Sequence, residues 1–274
     1  MITTRRQHLQ ILFGAVAGGS AALADGVDFD AYTDAQKESF MMTAKIVSAK
    51  EIGHGITKPI RLEMKLGEVV HSSKVQTVDK QLSDFFPEGG GKGIPMKDSW
   101  HYNIAAYKLD RLLKMNMVTP EVARAYQGKP GALSWWVDGV QFEEVDRIKK
   151  NITPPDVADF DKQRAVIQVF DELIINIDRN LSNLLITKSW KIALIDHSRA
   201  FTAYPGIRNK ANLTRCSKSL LAELRALTSR TLKQAVGTHL TAPEMQAVLG
   251  RRDRIVEFFE EEVKTKGEQK VLFA

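Results

Sequence analysis

The order of apolar and polar positions divides the chain into two unlike halves. After a mixed stretch over 25–43, with a short helix expected near Ala35–Met42, the segments Ala44–Ala49 and Ile60–Met64 alternate. Val69–Val78 continues as a third extended run. A period of two marks strands that bury one face. Ile52-Gly53-His54-Gly55 and Leu66-Gly67-Glu68 read as the turns between them, so the spacing predicts a three-strand meander. Residues 84–98 carry GGGKG and two prolines and read as a loop. Ser99 can cap a helix from Trp100 to about Lys114, with Ile104, Ala105, Tyr107, Leu109, Leu112 and Leu113 as its apolar face. Met117–Tyr126 reads as a turn and strand, and Ala132–Val137 as a buried strand.

The second half changes period. A helix is expected over Gln141–Lys150, a break at Pro154-Pro155, and a long helix over Asp161–Ile177. Leu184–Ile186 and Lys191–Ile195 read as short strands joined at Lys188-Ser189. Ser217–Ala226, Ser229–Ala235 and Pro243–Lys266 read as helices. The expected class is therefore α+β. A small strand-rich lobe over 25–138 faces a larger helical lobe over 139–274, with a hinge near 135–140.

Composition narrows this little. The 274 residues are 43% hydrophobic and 26% charged, which excludes a disordered chain, a collagen-like fibre and a polytopic membrane protein. The single cysteine, Cys216, excludes an intrachain disulfide and a multi-cysteine zinc site. A formal charge of +6, without basic runs interleaved with aromatics, gives no reason to expect nucleic acid as a partner. Residues 1–24 carry Arg5-Arg6, an apolar stretch from Leu9 to Ala24 and an Ala22-Leu23-Ala24 cleavage site, so they read as an export signal of twin-arginine type. The expected location is periplasmic or secreted, with no transmembrane segment after signal removal. The alternative is a cytoplasmic protein with a frayed N-terminus.

Chemistry concentrates in Asn176-Ile-Asp-Arg-Asn-Leu-Ser-Asn183 and Ile195-Asp196-His197. Asp178 and Asn183 stand five residues apart after a long helix, and Asp196 follows across a hairpin. Phosphoryl transfer needs one carboxylate to orient the nucleophile. It also needs an amide oxygen and a second carboxylate for the metal that bridges the phosphates. Kinase catalytic loops use the same D-x-x-x-x-N spacing. Asx turns and helix caps account for such residues singly, but not for the three in this order.

NIDRNLSNLLI and IALIDHSRAF resemble the catalytic and metal-binding segments of the atypical kinase lineage that includes four-jointed and Golgi casein kinase, HipA-type and phosphatidylinositol kinases. NIAAYKLDRLLKMNMVTPEVARAY and ALSWWVD resemble that lineage's N-lobe helix, following strand and hinge. The resemblance implies a two-lobed atypical protein-kinase-like fold over roughly 40–265. It implies that Asp178 is the catalytic carboxylate and that Asn183 and Asp196 hold Mg²⁺ or Mn²⁺. Gly53, His54 and Gly55 would cover the phosphates of ATP or another nucleotide. Trp135, Trp136 and Val137 would line the adenine pocket, with core packing as the alternative for the tryptophans. Arg179 would support the loop or touch a phosphate, and His197 would touch a phosphate or cap a strand.

Two positions depart from the pattern. Gln76 stands where the family carries its strand lysine, and Asn103 where it carries the helix glutamate. The two changes are coherent, because losing one charge alone would leave the other unpaired in a cleft. Lys74 lies on the same strand face as Gln76, about 6–7 Å away, and is a candidate substitute unless it faces solvent. Lys58 is a second candidate. The functional expectation is a metal–nucleotide-dependent phosphotransferase whose acceptor (protein, lipid or small molecule) is open. The alternative is an exported pseudokinase acting as a binding or scaffold protein. GGGKG lacks the Ser/Thr and the strand–loop–helix setting of a phosphate-binding loop.

Overall fold

A computed structural model describes residues 28–52, 59–85 and 93–274. The signal-like segment, Gly53-His54-Gly55 with Lys58, and Gly89–Lys92 of GGGKG lie outside the described residues. Helix α1 (Asp34–Thr43) opens the N-lobe, with a capping box between Thr33 and Gln36. Strands β1 (Lys45–Glu51), β2 (Ile60–Leu66) and β3 (Val69–Gln76) form the expected antiparallel meander. The β2–β3 turn closes on Gly67 at φ +60°, a conformation that favours glycine. Strands β4 (Asp79–Phe85) and β5 (Ile94–Ser99) pair as a separate hairpin, and α2 (Trp100–Leu112) follows β5 directly. Strands β6 (Glu121–Ala123) and β7 (Ala132–Trp135) complete a five-stranded sheet in the order β1-β2-β3-β7-β6.

That sheet has two different faces. Leu62, Met64, Val75, Val122, Leu133 and Trp135 bury one face against Phe40 and Met41 of α1. Alternation sends the intervening residues to the other face. Register then sets Glu121 opposite Ser134, Ser134 opposite Lys74, and Ala132 opposite Gln76. Trp100 and Ile104 of α2 pack on Ala132 from this second side.

The second lobe begins with β8 (Val140–Glu143) and α3 (Glu144–Lys149). Helix α4 (Val157–Ile174) leads to the hairpin β9 (Leu184–Thr187) and β10 (Ile192–Leu194). Helices α5 (Lys218–Ala226), α6 (Ser229–Val236) and α7 (Ala242–Lys266) follow. One continuous apolar cluster joins α2 to α4, the hairpin and α5–α7. The prominent N-lobe helix is thus buried in the same core as the helical lobe.

Four expectations are corrected. Residues 84–98 are not simply a loop, because Ile94–Ser99 pairs with Asp79–Phe85. The segment 141–150 starts as strand, since β8 pairs with β9 and that pairing overrides its local helical pattern. The long helix starts earlier, at an Asp156 cap, and ends at Ile174 with Ile175 left-handed at φ 45°, so Asn176–Asp178 already belongs to a loop. Ser99 occupies the α2 cap position but its side chain makes no cap bond. Its backbone N–H donates to the Ser198 carbonyl at 2.8 Å, a link between lobes.

Arg251 of α7 is completely buried and reaches back to this junction. Its guanidinium donates to the carbonyls of Leu173 (2.6 Å), Thr202 (3.1 Å) and Tyr204. Burial lowers its pKa to about 9, so the fold holds this cation at a cost that those carbonyls offset. Arg251→Ala is expected to destabilise the chain by about 3 kcal/mol or more, because buried carbonyls lose their donors. Denaturant unfolding followed by circular dichroism measures this. A change within about 0.5 kcal/mol would contradict the assignment.

Candidate functional site

The loop after α4 is built around Arg179. Its Nε and Nη2 hold the Asp171 carboxylate of α4 at 2.9 and 3.0 Å in a two-pronged ion pair. Nη1 donates to the carbonyls of Ile195 (3.1 Å) and Asn183 (3.4 Å), and Nη2 donates to His197 Nε2 at 2.8 Å. One planar cation therefore ties the helix end, the loop and the segment after β10 together. The Ile195 N–H closes the same junction by donating to the Asn183 carbonyl at 3.2 Å. Arg179 supports the loop rather than standing free for a phosphate. His197 is fully buried, and burial followed by the Arg179 and Lys74 charges lowers its pKa well below the ordinary value. It is a neutral internal acceptor and does not reach a phosphate from this position.

Asp178 stands at the mouth of this loop with its side chain 46% exposed. Arg199 Nη1 lies 3.1 Å from its carboxylate, while Arg199 Nε holds the fully buried Asp98 of β5 at 3.0 Å. Asn183 donates Nδ2 to the Asp178 carbonyl at 3.2 Å, which leaves its Oδ1 as the amide's acceptor. Asp196 takes a left-handed backbone at φ 57°, a strained setting for a non-glycine residue that swings its side chain out of the strand line.

Lys74 Nζ crosses from β3 to the Asp196 carboxylate at 3.4 Å. The Lys74 side chain is only 15% exposed, so the solvent-facing alternative is excluded. Burial works to raise the Asp196 pKa. The Lys74 ammonium and hydrogen bonds from Ser198 outweigh it and hold the carboxyl below its usual value. Ionised Asp196 and the Asn183 amide supply oxygen donors of the kind hard divalent cations take. Among the described residues no group of three or more His, Cys, Asp or Glu forms a ready metal cage. A cation here would complete its shell with water and phosphate oxygens, which suits Mg²⁺ or Mn²⁺ better than zinc.

Gln76 and Asn103 do meet. Asn103 Nδ2 donates to Gln76 Oε1 at 2.8 Å, and Asn103 Oδ1 accepts the His197 N–H at 2.7 Å. A neutral buried bridge thus joins β3, α2 and the residue after Asp196. Trp135 is core, stacked on His71 at 3.7 Å. Trp136 is half-buried beneath the Arg61 guanidinium, 4.2 Å from its ring centre. Val137 lines a separate cavity of about 430 Å³ on the α1 side, together with Trp135 and Lys37. Gly53, His54 and Gly55 lie outside the described residues.

Three polar groups join the site without a strong local signal in the sequence: Arg199, Asp98 and Glu121. Glu121 is 2% exposed on β6, hydrogen-bonded to Ser134, and feels the charges of Lys74 and Asp196. Its Oε2 has no partner among the described residues. A charged residue in an otherwise apolar three-residue strand was the one available clue.

Comparison with known proteins gives the class. A profile of the ABC1 atypical kinase-like domain matches residues 100–222, from α2 through the Asp178 loop into α5. The structure of hydra Fam20 with sugar aligns at a TM-score of 0.63 and 16% identity, covering 87% of this chain and 91% of that one. The Golgi casein kinase aligns at 0.61 and 13%, covering 87% and 79%. Its Mn/ADP-bound structure aligns at 0.59 and 13%, covering 87% and 78%. No curated protein matches by sequence. The protein has an atypical kinase-like fold.

Burial raises the Glu121 pKa from 4.5 to about 8, against the opposing pull of Ser134 and Lys74. The folded chain therefore keeps a proton that the unfolded chain releases above about pH 4.5. This contribution to stability is complete below pH 4.5 and is lost as pH rises through about 8. Glu121→Gln is expected to remove that decline, so its advantage in Tm over the parent should widen toward pH 9. Parallel Tm profiles from pH 5 to 9 would contradict the assignment.

Proposed function

We propose that this protein binds a divalent metal–nucleotide in the cleft between its lobes and transfers a phosphoryl group to an acceptor hydroxyl. The observation that carries the reading is the 3.4 Å contact of Lys74 with Asp196, beside a loop that also presents Asp178 and Asn183. In this reading Asn183 and Asp196 hold Mg²⁺ or Mn²⁺, and the cation, when bound, offsets phosphate charge. Lys74 moves from Asp196 toward the phosphates. Asp178 accepts a hydrogen bond from the acceptor hydroxyl and orients it, while Arg199 keeps the carboxylate in place. Gly53, His54 and Gly55 cover the phosphates, and Trp136 stacks near the base. ATP is the first donor to test, and the Mn/ADP complex of the Golgi casein kinase supports a nucleotide with a divalent metal. The residues do not select among protein, lipid and small-molecule acceptors.

One observation favours a second reading. The Gln76–Asn103 bridge replaces a charged pair by a neutral one, which suits a pseudokinase that binds nucleotide without turnover. Export is a separate proposal and rests on Arg5-Arg6, the apolar stretch and Ala22-Leu23-Ala24 within residues 1–24. No helix among the described residues is long and apolar enough to cross a membrane. Fractionation of bacteria expressing the full-length chain should find it in the periplasm with Asp25 first. Recovery from the cytoplasm alone with Met1 intact would reject the signal.

Thermal unfolding with millimolar ATP, with and without Mg²⁺ or Mn²⁺, tests the site. At a hundredfold excess over Kd the stabilisation is about 2.7 kcal/mol, roughly 5–10 °C for a chain of this size. The metal-dependent part should vanish in Asp196→Ala. Asp178→Ala should keep nucleotide binding and lose slow ATP hydrolysis. No shift with either metal would reject the ATP reading. Binding without hydrolysis in the parent would favour the pseudokinase.

A further inference from the structure

Lys74 pairs with one carboxylate, Asp196, and shares its sheet face with a second, Glu121. Lys74 stands on β3, Asp196 approaches it from the helical lobe at 3.4 Å, and Glu121 lies on the same sheet face two strands away. Adjacent strands are about 4.8 Å apart, so the Glu121 and Lys74 backbones are separated by roughly 10 Å. Ser134 sits between them in register with both. A lysine and a glutamate side chain together are long enough to span that gap. Glu121 is buried with one carboxylate oxygen unpartnered among the described residues, an arrangement that costs stability unless a cation or donor reaches it. The helix position facing the strand lysine site carries Asn103, which is committed to Gln76 and to the His197 backbone. It has no charge to offer Lys74.

We propose that Lys74 and Glu121 form a relocated lysine–carboxylate couple, in which Glu121 is a positioning residue that holds Lys74 over the cleft once Asp196 is engaged by a metal ion. The second part rests on the nucleotide site proposed above. A divalent cation at Asp196 repels the Lys74 ammonium and removes its present partner. Glu63 of β2 is also on this face but exposed, and the buried carboxylate there with an unpartnered oxygen is Glu121. Drawn toward it, Lys74 stays on the cleft side and keeps its remaining N–H donors for an anionic ligand. The sheet thereby does from β6 what an acidic residue on α2 would do from the opposite side, and Gln76 with Asn103 close the vacated position with a neutral bridge.

Two measurements separate this couple from the nucleotide reading. The first is a double-mutant cycle on the Tm of the ligand-free full chain at pH 9, using Glu121→Gln, Lys74→Met and the double variant. If Lys74 is the cation that Glu121 depends on, removing the Glu121 charge must raise Tm more in the Lys74→Met background than in the parent. Equal changes in both backgrounds would overturn the couple. Both substitutions preserve side-chain volume, and Glu121→Gln keeps an acceptor for Ser134, so the variants should fold. The second is the Kd for ATP with Mg²⁺ at pH 9, where Glu121 is ionised. Glu121→Gln should weaken it about tenfold while Lys74 is present and leave it unchanged in Lys74→Met. Unchanged affinity in the single variant, or the same loss in both backgrounds, would overturn the positioning role. If the parent binds no ATP with either metal, the nucleotide reading and the positioning role both fail, and the pH 9 cycle still decides the couple.

Discussion

The Arg179 guanidinium is the contact on which the rest of the site depends. Its fork takes a carboxylate from α4, carbonyls from both ends of the β9–β10 excursion and a buried imidazole. Each partner alone would contribute on the order of 1–3 kcal/mol. Their convergence on one planar group matters more than the sum, because it defines where Asp178, Asn183 and Asp196 stand relative to one another. A lysine could not reproduce it, since an ammonium is a point donor without the fork.

The two lobes are joined by short polar bridges as well as by core. Asn103 connects β3 to the backbone after Asp196, Ser99 bonds the Ser198 carbonyl, and Arg199 spans Asp98 and Asp178. All of these converge on the four residues from Asp196 to Arg199. The apolar cluster beneath them runs from α2 into the helical lobe, so α2 moves with that lobe if the lobes move at all. The sheet carrying Lys74 is tied to this unit by the Lys74–Asp196 pair, by the Gln76–Asn103 bond and by Trp100 and Ile104 packed on Ala132.

Legibility followed the range of the interaction. The meander was readable because alternation is a local property and each strand displays it without its neighbours. The D-x-x-x-x-N loop and the following Asp were readable because their spacing lies within one stretch of chain. The β4–β5 hairpin was obscured by its Gly- and Pro-rich connection, and β8 looked helical until β9 paired with it. The same divide runs through the site. Gln76 and Asn103 were readable as a matched pair of departures, but not as a hydrogen bond that also holds His197. Glu121 lay in a three-residue strand too short to display a face.

The sequence by itself determined the α+β class, the N-terminal meander, the main helices and the spacing of the residues proposed for phosphoryl chemistry, since these follow from local period, turn residues and spacing. Only the tertiary structure decided which charges meet. Lys74 and Asp196 are 122 positions apart in the chain, and their contact follows from strand register and from how β3, α2 and the loop after β10 stack. Whether a lysine on a strand faces water or a carboxylate depends on what covers that face, and nothing within the strand records it.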